Sequence, residues 1–228
     1  MLKKGNVNML SGSIFIGLIS LTIPIMIMNV MQNMFNLIDM MILGKFANDA
    51  AVGAIGTCSV LISLCTGLFI GVSTGANVVV AKSIGIGNKE HTEKAIGTAV
   101  LFSIVGGGIL LVIGVSFAEV FLRLINCPES LISEAALYFK LYFLGVPMLL
   151  LYNFCASILR AGGDTKRPLY YMLIGGVVKV TLNYICVAVF DMTVAGVGIA
   201  TIVSNTVMCG FAFHALLKNK NETIFRWK

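Results

Sequence analysis

Six stretches of the 228-residue chain contain no Asp, Glu, Lys or Arg: 5–38, 50–81, 95–118, 141–159, 168–190 interrupted by Lys179 alone, and 192–217. A bilayer core of about 30 Å is crossed by roughly 20 helical residues, and inside it each helix satisfies its own backbone N–H and C=O groups. No run shows the strict period of two that barrel strands of about 10 residues need. The chain therefore reads as all-α, a polytopic membrane protein with a six-transmembrane-helix bundle. A residue content 58% hydrophobic and 11% charged, with mean hydropathy +0.96, excludes an ordinary soluble domain.

Lys3 and Lys4 precede an apolar run too long for a secretory signal and without a small-residue cleavage site, so the first span is expected to stay in the mature protein. Five of the cysteines (58, 65, 155, 186, 209) fall inside spans and only Cys127 in a loop, which argues for packing against a disulfide framework.

Lys and Arg resist translocation, so their distribution over short loops sets orientation. Lys3, Lys4, Lys82, Lys89, Lys94, Arg160, Lys166, Arg167, Lys218, Lys220, Arg226 and Lys228 all fall on one side, against Lys45, Arg123 and Lys140 on the other, where Asp49, Glu119, Glu129, Glu134 and Asp191 also lie. Both termini are expected in the cytoplasm, with the chain in the plasma membrane. That topology and attraction to anionic headgroups account for the net charge of +6, making membrane lipid a partner and giving no nucleic-acid footprint.

The expected helices are 13–38, 50–80, 95–117, 135–158, 169–190 and 194–217. The segment 82–94 is expected to be a polar turn with room for a short surface helix, and Asn126-Cys127-Pro128 and Gly162-Gly163-Asp164 read as turns.

A polar side chain in hydrocarbon must face another helix, a cavity or water. In span one, Asn29, Gln32, Asn36 and Asp39 are spaced 3, 4 and 3, on one helical face, with Asn33 close by. This stripe is either a water-lined site or amide contacts between helices with Asp39 as an interfacial cap. Lys179 falls near the middle of span five, where a central Lys costs about 2.5–3.5 kcal/mol and calls for an acid partner, deprotonation or snorkelling. Asp39 is the one acid inside a span. Asn183 shares the Lys179 face, and Thr201 and Asn205 show the same spacing in span six. Lys179 is expected roughly 10–15 Å deeper than Asp39, unless span one continues past Gly44 or bends at Pro24.

Gly67, Gly71 and Gly75 form a small-residue ridge that reads as helix packing, and Pro24 and Pro147 allow kinks. His91 and His214 lack neighbours at metal-ligand spacing, and no P-loop, HExxH motif or nucleophile elbow is present. An enzyme is not expected, nor a cofactor or bound metal.

The segment 24–56, P-x4-N-x2-QNMFNLIDMMILG-x8-GAIG, resembles the first helix and following loop of the multidrug and toxic compound extrusion (MATE) transporter family. GVSTGANVVVAKSIGIGNKE (71–90) is similar to that family's second helix and loop, ILRAGGDTKRP (158–168) to its fourth-to-fifth connection, and AGVGIAT (195–201) to the start of its sixth helix. The resemblance implies an antiporter that expels organic, often cationic, compounds in exchange for H⁺ or Na⁺, built of two six-helix lobes around a cleft. On that basis residues 1–217 are one lobe and 218–228 a basic cytoplasmic tail that starts an inter-lobe linker. The second lobe would come from the same longer chain, a separate half or a second copy. Asp39 matches the family's first-helix acid implicated in cation binding, Thr201 a sixth-helix hydroxyl, and Asn153 a polar ligand of the fourth helix. Where some members read Asn-x-x-x-Asp in the fifth helix, this chain has Lys179-x-x-x-Asn183, which removes an anionic ligand and inserts a cation. The expected coupling set is thus Asp39, Asn36, Lys179, Asn183, Thr201 and Asn153, with Asn29, Gln32 and Asn205 on the substrate cavity. Two alternatives stand beside this reading: a lipid-linked-sugar flippase of the same superfamily, whose cavity should be strongly basic, and a half-protein that does not transport.

Overall fold

The computed structural model describes residues 14–47 and 49–218. They form α1 (Ile14–Phe46), α2 (Asp49–Ile86), α3 (Lys89–Ser116), α4 (Ala118–Leu124), α5 (Glu129–Ala161), α6 (Lys166–Tyr184), a π-helical turn (Ile185–Val189) and α7 (Thr193–Lys218). Among the described residues six helices are long and apolar enough to span a membrane, and the expected spans four, five and six correspond to α5, α6 with its π turn, and α7. The tail beyond residue 218 lies outside the described residues, as do Lys3 and Lys4.

The helices run past several expected ends. α1 continues to Phe46, because Asp39 and Lys45 are carried within it. A charge marks a span end only when it must reach water, and Asp39 instead has a partner inside the bundle. No separate surface helix forms over 82–94: α2 and α3 meet at a tight turn where Gly87 adopts φ 74° and the Asn88 side chain accepts the His91 N–H. The short helix absent from the expected map is α4, tied to α5 by Lys140 and Glu119 at 3.5 Å.

Both expected turns form, by one mechanism. After α5, Gly163 takes φ 82°, its N–H bonds the Arg160 carbonyl at 2.9 Å, and the Asp164 N–H bonds that of Leu159 at 3.0 Å. After α4, Asn126 takes φ 55° with equivalent bonds to Arg123 and Leu122. This is the Schellman closure, which requires a residue tolerant of the left-handed region.

α5 is the central helix and packs against α2, α3 and α7. Its buried side chains feed two apolar clusters at opposite ends of the bundle. One gathers Leu43, Phe139, Phe143, Leu150 and Val194 at the end where α1 finishes. The other gathers Val80, Ile96, Phe154, Ile158 and Ala212 at the end where α5 finishes. Buried Asn183, Thr201, Ser204 and Asn205 lie on α6 and α7. The expected glycine ridge does not pack: a Cβ on Gly67, Gly71 or Gly75 would meet nothing within 4 Å, because this face of α2 is turned outward.

Candidate functional site

α1 and α6 are brought together by a missing side chain. A Cβ on Gly176 would lie 2.0 Å from the Phe35 ring, so the aromatic edge rests directly on the α6 backbone. One turn along each helix from this contact are Asp39 and Lys179, and the same helical period places Asn183 one further turn beyond Lys179. Lys179 Nζ lies 2.5 Å from Asp39 Oδ2, and Asn183 Nδ2 donates to Asp39 Oδ1 at 2.8 Å. Both carboxylate oxygens are thereby occupied. The carboxylate and the amide are buried, Asp39 at 5% exposed and Asn183 at 0%, while Lys179 reaches the cavity. Asn183 Oδ1 is buried with no hydrogen-bond partner among the described residues.

The depth difference expected from the sequence is much smaller in the fold. Asp39 sits seven residues before the end of α1 and Lys179 ten before the end of the π turn, so at 1.5 Å per residue their levels differ by about 5 Å. The lysine stem closes that gap.

Beside the cluster lies a cavity of about 160 Å³. Asn29, Gln32 and Asn36 from α1, Asn153 from α5, Lys179 from α6, and Thr201 and Asn205 from α7 all line it, so seven of the nine residues singled out from the sequence face one cavity. The other two, Asp39 and Asn183, sit behind Lys179 and do not line the cavity. Thr201 donates its hydroxyl to the Val197 carbonyl at 2.8 Å, and Asn153 donates to that of Leu149 at 2.9 Å. Neither bonds the Asp39 cluster. The amides of Asn29, Gln32 and Asn36 are exposed, a costly arrangement in hydrocarbon unless a water-filled cleft or further protein faces them.

On the α5 side of the cavity sequence reasoning found Asn153 but missed Tyr138, Tyr142, Tyr152 and Arg160. Tyr138 also lies within Coulombic reach of Asp39. The signal was available, since 138, 142, 149, 152 and 160 follow helical spacing along one face. Arg160, expected in a loop, belongs to the last turn of α5. Its Nη2 donates to Ser157 Oγ at 2.8 Å; Ser157 Oγ in turn reaches Ser73 Oγ at 3.5 Å, and Asn77 Nδ2 donates to the Ser157 carbonyl at 2.7 Å. Among the described residues the cavity lining thus contains two bases and no carboxylate.

The MatE family model matches residues 24–185. The chain is 31% identical over 160 residues to the probable multidrug resistance protein YoeA of Bacillus subtilis, covering 70% of this chain and 35% of that one. It is 27% identical over 212 residues to the probable multidrug resistance protein YpnP of the same organism, covering 92% and 47%. A solved outward-facing conformation of a multidrug resistance MATE family transporter of the MOP superfamily superposes with TM-score 0.90 at 21% identity, over 100% of this chain and 50% of that chain, which shows a shared fold. The chain spans less than half the length of these two curated relatives.

Proposed function

The chain belongs to the MatE family, and from that membership together with the Asp39–Lys179–Asn183 cluster we propose that it forms one six-helix lobe of an H⁺-coupled antiporter that exports organic compounds. The observation that carries the reading is a buried carboxylate whose two oxygens are held by an ammonium and an amide immediately behind a polar cavity. Lys179 already occupies a position beside Asp39 that a Na⁺ ion would take, and two like charges sharing one buried carboxylate repel each other strongly. A proton has no such conflict.

Protonation of Asp39 removes the counter-charge of Lys179 and frees its ammonium toward the cavity. The orphan Asn183 Oδ1 supports this step, because rotation of the amide would let it accept a hydrogen bond from the carboxylic acid. The cavity then gains positive charge and repels a cationic group, which is the sign that antiport of organic cations requires. Loss of the proton restores the ion pair and readmits the substrate.

The exposed amides of α1 support a second six-helix lobe facing this one, since alternating access needs two bundles rocking about a site between them. A flippase cavity for lipid-linked sugars would be strongly basic. Here Asp39 compensates one of the two bases, which favours the exporter.

The reading is tested by efflux of ethidium from proteoliposomes holding the complete transporter under an inward proton gradient. Asp39→Asn is expected to abolish efflux and to weaken ethidium binding, because it fixes the state in which Lys179 is released toward the cavity. Efflux that survives this substitution contradicts the assignment of Asp39 as the coupling residue.

A further inference from the structure

Arg160 is the uncompensated charge of the cavity. The ion pairs among the described residues engage Lys94, Lys140, Arg167 and Lys179, and none engages Arg160. Among the described residues its one side-chain hydrogen bond is to Ser157 Oγ, whereas a guanidinium carries five N–H donors in a planar fork suited to two oxygens of an acid. The Ser157–Ser73–Asn77 contacts tie the α5 end to α2 and fix the direction of that fork. Tyr152, Met28, Met172 and Met208 supply an aromatic and thioether wall to the same cavity. Thioethers adapt to varied apolar shapes. A base at the last turn of a helix also serves the helix dipole, but such a side chain bonds terminal carbonyls, and this one bonds a side-chain hydroxyl and lines the cavity.

We propose that Arg160 is an anion-binding subsite of the cavity, taking the carboxylate, sulfonate or phosphate of an exported amphiphile whose apolar body lies against Tyr152 and the methionines. The proposal rests on the cavity being the substrate site of the exporter. It extends the substrate class from organic cations to amphiphiles that carry both an acidic and a basic group. Such a molecule satisfies Arg160 at one end and leaves its cationic end to be repelled when Lys179 is released, whereas a purely anionic one would be held more tightly.

The test is equilibrium binding to the complete transporter in phosphatidylcholine nanodiscs, with protein-free discs subtracted. The probes are 1-anilinonaphthalene-8-sulfonate and N-phenyl-1-naphthylamine, one skeleton with and without an acid. Arg160→Gln is expected to weaken the sulfonate about tenfold and leave the neutral probe unchanged, with Arg160→Lys retaining part of the difference. On the unmodified protein, which depends on no variant folding, the sulfonate should protect Arg160 from phenylglyoxal, read by peptide mass spectrometry, and the neutral probe should not. Equal weakening of both probes, or equal labelling of Arg160 in their presence, overturns the proposal. Loss of the sulfonate preference on adding phosphatidylglycerol assigns Arg160 to a lipid headgroup and overturns it too. No gradient is involved, so failure here leaves the transport reading intact, and failure of proton-driven efflux leaves the binding result intact.

Discussion

Lys179 Nζ meets Asp39 Oδ2 at 2.5 Å across the α1–α6 contact, and the Asn183 amide closes the other carboxylate oxygen. Breaking one partner of a buried pair strands the other charge, whereas replacing both leaves no stranded charge. Asp39→Asn is therefore expected to destabilise by about 3–5 kcal/mol, and Asp39→Asn combined with Lys179→Met to recover most of that loss. Thermal unfolding of the detergent-solubilised single and double variants checks it. Additive losses would mean that the two side chains act independently.

The pair exists because Phe35 rests on Gly176. Gly176→Ala puts a methyl group 2.0 Å from the ring, which overpacks the α1–α6 contact at a cost of about 1–3 kcal/mol. Gly71→Ala, where a Cβ meets nothing within 4 Å, is expected to leave the stability of the lobe unchanged or slightly raised. Melting temperatures of the two variants should diverge in that order.

How far the site was legible in the sequence follows from what each residue needs. The α1 amide stripe and Asp39 stood out because polar atoms in an uncharged helix have few places to go, and Lys179 because a central charge demands a partner. Arg160 was assigned to a loop because a charge near a Gly-Gly turn reads as solvated, and the Schellman closure that keeps it helical shows only in the backbone. The Gly67 ridge misled for a related reason: small-residue spacing says that a helix can approach closely, not which face does. Gly175 and Gly176, which carry the close contacts of α6, form no such repeat.

Orientation is a separate expectation, based on twelve Lys and Arg against three. With the native cysteines replaced, a single cysteine at exposed Ser130 should react with an impermeant thiol reagent applied outside intact cells, and one at exposed Lys82 should react only after permeabilisation. The reverse pattern would invert the topology.

On the proposed two-lobe architecture a single lobe would leave one wall of the cleft missing. Vesicles containing only purified monomeric chain of residues 1–228 are expected to show no ethidium efflux under any ion gradient. Efflux from the monomer would remove the need for a second lobe.

The central claim is that Asp39 couples export to protons because Lys179 holds the place of a metal cation. The direct measurement is ethidium efflux from proteoliposomes of the complete transporter under two imposed gradients, H⁺ at constant Na⁺ and Na⁺ at constant pH, in the unmodified protein and in Lys179→Asn. The account predicts efflux with the proton gradient alone in the unmodified protein and a shift toward Na⁺ in the variant. Efflux driven by Na⁺ at constant pH in the unmodified protein, and unchanged by Lys179→Asn, would contradict it.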